Sequence, residues 1–482
     1  MFQRPNTRWP IVIAGFVSWI GLMTIPLYHA SINNTFGPIL FLAYLVAMVL
    51  LVIFEEESAG LLVGASLALN VGYPESSTDA FLPHVPLLLL GALHIRIMIG
   101  SKQWRSQKGY SKKDHLFLFL YLGAGFASTF FQRFHAEPFW EMIRETLIVI
   151  AAFNWLAKHR RQKPLMLEWM TVFSLSLWIV LVYAVFFSPH PEKGAPIPFF
   201  QNANYFSGAM SIALPFAIWL GWSRRDIWRW IGWGLAGSFL FGIIWFQSRG
   251  AWVGLAGGSL FFVWYLSKNL AQRLALAGFL VAGVTTVMLY SVNLNYGVES
   301  NTGESVEETS GSEGLASIVD TKTNFSNLER IMRWKIALRL FQDRPWLGQQ
   351  PRRFAKRFKY KLNSMAEVEA ISYWYGWEGA AHSEYLTRLA ERGVIGVIPF
   401  LLYFGYLFWI LYKLIRYKRL GRLWGSLIAF SLGTWVVHGI FNDLTASDAI
   451  YIPLMMMAGY IVQMKPETWT TPANLEDDFA EE

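Results

Sequence analysis

The feature that most constrains this chain is its series of apolar runs, each about twenty residues long and separated by short polar breaks. A bilayer core of ~30 Å is crossed by about 20 residues of α-helix. Inside it every backbone N–H and C=O must be satisfied by the helix itself or by a closed barrel. The runs fall at roughly 9–28, 36–54, 58–73, 81–100, 115–133, 137–157, 165–187, 203–222, 227–246, 250–266, 272–293, 387–412, 423–441 and 447–463. The third is short and the ninth and tenth are nearly fused, so the count is about fourteen spans, with about twelve as the lower reading. Composition agrees: 15% of the residues are charged, against about 25% in a soluble domain. The period-2 alternation of an outer-membrane barrel is absent. The expected fold is all-α, a polytopic transmembrane helical bundle. The first run lacks a small-x-small cleavage site and is too long for a signal core, so it is read as a retained span.

Lys and Arg exceed Asp and Glu by 41 to 33, for a net charge of +8. Such a balance suits nucleic acid, but the positions of the charges argue otherwise. With the N-terminus inside, the loops "SKQWRSQKGYSKKD", "KHRRQK", "WSRRD", "SKNLAQR" and "YKLIRYKRLGR" all fall on the cytoplasmic side, as the positive-inside rule requires. "FEEES" is the exception, and acidic residues weigh little in that rule. No nucleic-acid partner is expected. Both termini are then cytoplasmic, and among the places that face outward three matter most: the loop 188–202, the turn at Arg249 and the long segment 294–386.

The chain therefore divides into a first part of the bundle (1–293), an outer segment (294–386), a last part of the bundle (387–463) and an acidic tail (464–482). Within the outer segment, 296–320 is rich in Ser, Gly and Glu, without an apolar period, and reads as disordered. Residues 326–341 read as a helix, with Ser326 as N-cap and Glu329 completing a capping box. A turn and a basic aromatic stretch follow.

Charges at the outer level carry the functional expectation. In "IIWFQSRGAWVGLAGG" (Ile243–Gly258), Arg249 precedes Gly250, Gly254 and Gly258 at four-residue spacing. Such a small-residue stripe lets another helix approach closely, so Arg249 is expected to point into the protein rather than snorkel to headgroups. In "AHSEYLTRLAERGVIGV", Glu384, Arg388, Glu391 and Arg392 share one helix face, with His382 just before it. An ionisable face inside a membrane bundle is a functional hypothesis by default. Arg330 and Arg333 lie about one turn apart on the outer helix. Arg352, Arg353, Lys356 and Arg357 read as a basic surface resting on anionic headgroups. Glu141, Arg144 and Glu145 are spaced to pair with one another.

There is no cysteine, no metal-ligand spacing and no Walker-type phosphate loop, so no metal or other cofactor is expected. Several arginines and one histidine suit glycosyl transfer from a lipid pyrophosphate. Guanidiniums grip phosphate oxygens in bidentate fashion and stabilise the departing charge. A histidine takes the proton of an acceptor hydroxyl.

"NANYFSGAMSIALPFAI", "QSRGAWVGL", "DRPWLGQQPRRF" and "HSEYLTRLAERGVIGV" occur in the order and spacing of the O-antigen ligase and polymerase superfamily. The first resembles its Asn/aromatic/Gly element with a later proline, here Asn202, Tyr205, Gly208 and Pro215. The others resemble its Ser-Arg-Gly, Pro-x-x-Gly and His-Asn-x-x-Leu-(x)4-Glu-x-Gly-x-x-Gly elements. The resemblance covers about residues 200–400. Ser383 stands where the family usually has Asn, and Gln349 and Gln350 where it has a small or Gly-rich pair.

The resemblance implies a metal-independent, inverting glycosyltransferase of the bacterial inner membrane, with its active site facing the periplasm. Undecaprenyl-pyrophosphate-linked glycan would be the donor and lipid A–core, or another glycan, the acceptor. His382 would be the catalytic base. Arg249 would contact the pyrophosphate, with Arg330, Arg333 and Arg388 as further substrate-binding residues. A ligase is favoured over a polymerase because Arg352–Lys361 offers a basic surface for a phosphorylated core. A protein glycan transferase shares the donor chemistry. An anion transporter is the competing class, and it would need polar residues running to the cytoplasmic side; Arg96 is the one notable charge near an inner end.

Overall fold

The computed structural model describes residues 116–158, 162–186, 203–246, 248–267, 325–363 and 380–465, with a few positions between 269 and 278. The first four expected spans, nearly all of the eleventh, the loop 188–202, the segment 296–320 and the acidic tail lie outside the described residues.

The described part is all-helical. In chain order the helices are α1 Leu116–Phe130, α2 Ala136–Lys158, α3 Gln162–Phe186, α4 Ala203–Ser223, α5 Ile227–Trp245, α6 Arg249–Leu266, α7 Phe325–Asp343, α8 Phe354–Asn363, α9 Glu384–Arg416, α10 Arg422–His438 and α11 Asp448–Gln463. A short 3-10 turn, Leu444–Ala446, precedes α11. Nine of these helices coincide with expected spans. Among the described residues four stretches are long and apolar enough to cross a membrane: Met166–Phe186, Ala203–Ser223, Ile227–Trp245 and Glu384–Arg416. On α5, Trp230, Leu240, Phe241, Ile244 and Trp245 are exposed along the helix, as a surface facing lipid tails would be.

The bundle is held by aromatic and small-residue packing. Trp424 is fully buried, stacks edge-on to Phe216 at 5.5 Å and donates a hydrogen bond to the Tyr460 hydroxyl at 3.0 Å. The stripe Gly250, Gly254, Gly258 lies against α10. A Cβ added at Gly254 would stand 2.8 Å from that of His438, and one at Gly258 would strike Thr434. The four-residue glycine spacing is thus a helix-crossing surface, and α10 is its partner.

α9 is two helices joined at a kink. Gly393 has φ 60, ψ −166, inside an otherwise helical run. The break frees four backbone groups, and the Pro345–Gln350 loop takes all of them. Gln349 and Gln350 N–H donate to the carbonyls of Ala390 and Glu391 at 2.8 and 3.0 Å, while Val394 and Ile395 N–H donate to Pro345 and Trp346 at 2.9 and 3.3 Å. Gly348 (φ 67) and Gly393 press backbone against backbone: a Cβ at either would overlap the other segment. The Pro-x-x-Gly and Glu-x-Gly elements are therefore two halves of one joint.

The joint docks α7 and α8 on the bundle. Ile336, Ala337, Leu340, Phe354, Phe358, Ala381 and Ala390 form a small separate core beneath them. Ser326 lies inside α7 rather than before it, and the Glu329 carboxylate bonds Arg333 at 2.8 Å instead of closing a capping box.

Candidate functional site

The first turns of α2, α4, α6, α9 and α11 and the whole of α7 and α8 meet at one end of the bundle. Three contacts define that end. Ser248 Oγ donates to Asn204 Oδ1 at 2.8 Å, joining α6 to α4. Glu384 N–H donates to the carbonyls of Gly439 and Asn442 at 2.8 and 3.1 Å, joining α9 to the turn after α10. Trp334 of α7 packs against Phe441 of the same turn, ring centroids 6.5 Å apart. The 438–447 turn is thus the hub on which the Arg249 turn, the His382 segment and α7 converge.

His382 stands two residues before α9, with φ 50. That left-handed conformation is uncommon for a non-glycine residue and costs of order 1–3 kcal/mol, so the surroundings must hold it. They do. Ser383 caps α9 with φ −155, and Ala381 N–H donates to Thr387 Oγ1 at 3.2 Å. Arg333 Nη1 donates to the Ala380 carbonyl at 3.0 Å. The imidazole keeps 33% of its exposure, and its Nε2 faces Glu329 Oε1 at 3.8 Å, beyond a hydrogen bond. Burial, then the charges of Arg333 and Arg330, push its pKa down from 6.5 to about 3. It is neutral at pH 7, as a proton acceptor must be.

The arginines fall into different environments. Arg249 begins α6 and is 8% exposed, pointing inward. Arg330 is partly exposed and its charge acts on His382. Arg333 is buried, bonded to Glu329 and Ala380, with its guanidinium 5.2 Å from the Phe358 ring centroid. Arg388 lies deep in an ion network. Its Nε donates to Glu384 Oε1 at 2.9 Å, Nη1 to Glu145 Oε1 at 2.8 Å and Nη2 to Thr445 Oγ1. Arg392 Nη2 joins Glu145 at 2.6 Å, and both guanidiniums lie over the Tyr121 ring.

Two expectations from spacing need correction. Glu141 and Arg144 do pair, at 2.7 Å, but Glu145 reaches across to α9 because its side of α2 faces Arg388 and Arg392. Arg144 is completed by Asp448. Arg352, read as a headgroup contact, instead meets Glu141 at 3.1 Å, and Lys356 meets Glu137 at 2.5 Å. The chain that leaves the kink-docking loop and enters α8 carries both cations over the start of α2.

Between these elements lies a cavity of about 260 Å³ whose wall includes Glu137, Glu141, Tyr205, Arg352, Glu391 and Asp443. The sequence reading missed Asp443 and its neighbours. Burial and the nearby Glu384 push the Asp443 carboxyl well above the usual carboxylate range. His438 is fully buried against Gly250 and Gly254, and neither ring nitrogen nor Asn442 Nδ2 meets a hydrogen-bond partner among the described residues. The signal was present: "HGIFNDLTASD" packs His, Asn and two Asp into the turn between the last two expected spans. Among the described residues, no three His, Asp or Glu side chains are grouped as a metal would need.

Residues 234–402 match the family model described as O-antigen ligase. That stretch contains Arg249, α7 and α8, both halves of the kink joint and His382. The match supports the O-antigen ligase superfamily, in agreement with the four motifs, and its members are glycosyltransferase-like enzymes of lipopolysaccharide and polysaccharide assembly. Together with the apolar helices it suggests a multi-pass membrane protein. No curated protein matches the chain.

Proposed function

We propose that the protein is an O-antigen ligase of the inner membrane. It transfers glycan from undecaprenyl pyrophosphate to lipid A–core at the periplasmic face. One observation carries the reading: a neutral imidazole, held in a strained backbone conformation, sits under the charges of Arg330 and Arg333 at the same bundle end as Arg249. The acceptor hydroxyl oxygen attacks the anomeric carbon as the bond to the pyrophosphate breaks, with inversion. The hydroxyl proton passes to His382. Arg249 and Arg330 take the charge of the departing pyrophosphate. Arg333 is spent on Glu329 and Ala380, so it acts by holding the His382 segment. Arg388, matched by two carboxylates, contributes through the cavity wall.

A base whose conjugate acid has a pKa of about 3 is weak at neutral pH. Burial is the larger cause of that depression. The pyrophosphate's negative charge offsets the part due to the two guanidiniums, so the base strengthens when the donor is bound. Deleting the gene tests ligase against polymerase. Loss of a ligase leaves long lipid-linked chains unattached. Single repeats on the core would instead identify a polymerase. Ion flux into liposomes that survives His382→Ala, with no glycan defect, would identify a transporter.

A further inference from the structure

The cavity beside Asp443 is chemically unlike the arginine side of the site. Four carboxyl groups, those of Glu137, Glu141, Glu391 and Asp443, share its wall with the guanidiniums of Arg352 and Arg388. Each guanidinium is already matched, Arg352 by Glu141 at 3.1 Å and Arg388 by Glu384 and Glu145. A phosphate entering it would therefore find both guanidiniums engaged, while Glu137 is matched by Lys356 and Glu141 by Arg144 and Arg352. Ionised carboxylates only accept hydrogen bonds, and guanidiniums only donate them. The occupant these walls select both donates and accepts and carries no charge. At about 260 Å³ the space is below the ~300–1,000 Å³ of pockets for drug-sized ligands, which fits one ring rather than a chain of rings. Tyr205 and Phe354 add apolar faces.

Position adds to the chemistry. Ala380 and Thr387 belong to the same wall, and the Ala381 N–H bond to Thr387 fixes the strand of chain between them. The wall thus ends two residues before His382. On its other side Asp443 continues the turn whose Asn442 and His438 lie against Gly250, next to Arg249.

We infer that this cavity seats a single neutral sugar ring beside His382, while the pyrophosphate is held separately by the arginines at the Arg249 turn and on α7. The inference rests on the glycan-transfer reading and divides the substrate between two subsites, one charge-matched and one built of arginines. The ring belongs either to the donor or to the acceptor.

The test uses the full chain in nanodiscs with three probes: bare undecaprenyl pyrophosphate, the same carrier bearing one glycan repeat of the host strain, and soluble core oligosaccharide. Ala355→Trp fills the cavity without touching its charges, since Ala355 is on the wall. Binding of the glycosylated carrier, or of the core oligosaccharide, should weaken about tenfold or more, equivalent to ~1.4 kcal/mol. Binding of the bare carrier should stay within about twofold. Weakening of the first probe identifies the donor ring, and of the second the acceptor ring. Unchanged binding of all three, or equal weakening of bare and glycosylated carrier, overturns the inference. Should Ala355→Trp not fold, Glu137→Gln reads the same site from a carboxyl that is 45% exposed. A wild-type protein that binds these probes as described but transfers nothing would defeat the transfer reading alone.

Discussion

Two sets of buried arginines lie at one end of this molecule, and their surroundings differ. Arg144, Arg388 and Arg392 are enclosed by Glu141, Glu145, Glu384 and Asp448 at ion-pair distance. Around His382, Arg333 and the imidazole share one carboxylate, Glu329, and His382 is still partly exposed. The first set is charge-matched and dry, and it joins α2, α9 and α11 into a platform. The second leaves positive charge acting on a neutral base at an open edge. Charge buried near a membrane surface is therefore not one signal. Enclosed by carboxylates it builds the scaffold; beside His382 it acts on a partly exposed imidazole.

Mutations can break this contrast, and the largest effect belongs to the scaffold. Glu145→Leu should strand Arg392 and leave Arg388 with Glu384 alone, costing about 3–5 kcal/mol, a large part of the 5–15 kcal/mol typical of a folded domain. The expected result is a collapse of the melting temperature in detergent and of membrane abundance; wild-type melting would deny the network its structural role. Gly393→Ala should be milder, about 1–3 kcal/mol plus the overlap with Trp346, and should loosen α7 and α8 before the bundle. Hydrogen exchange that rises in 325–363 and not in α10 would show this. Arg249→Lys keeps the charge but loses the planar fork, so transfer should drop about tenfold with unchanged melting, and Arg249→Ala should drop further. Full activity in Arg249→Ala would remove it from the site.

The smallest effect is in pH. The pKa of His382 falls from 6.5 to about 3 on folding, so its contribution to stability is complete above about 6.5 and is lost as pH falls toward about 3. By NMR its imidazole should stay neutral at pH 5 without ligand, and its pKa should rise when bare undecaprenyl pyrophosphate binds. A ligand-free imidazole already protonated at pH 6 would contradict the offset argument.

Much of this was legible in the sequence because lipid leaves few options. Apolar length alone marked α1 to α6 and α9 to α11, and glycine spacing marked the face of α6 that meets α10. Pairing was not legible. The i, i+4 rule joined Glu141, Arg144 and Glu145 on one helix, whereas Glu145 turns to α9, a relation between helices that no local spacing encodes. Arg352 likewise resembled a headgroup contact until the kink at Gly393 drew its loop onto α2. Ser383 and the two glutamines, departures from the family pattern, each make a structural bond here. Ser383 caps α9, and Gln349 and Gln350 bond the Leu340 and Arg133 carbonyls at 2.9 and 3.0 Å. The 438–447 turn escaped notice because its polar residues sit among apolar spans and match no motif.

The most direct test of the central claim is transfer by purified His382→Ala, with lipid-linked glycan as donor, lipid A–core as acceptor and product mass as the readout. Losing the base should cut the rate by about 10²–10⁴-fold while melting and carrier binding match the wild type. Wild-type transfer by that variant would mean that the proton leaves by another route and that His382 is not the base.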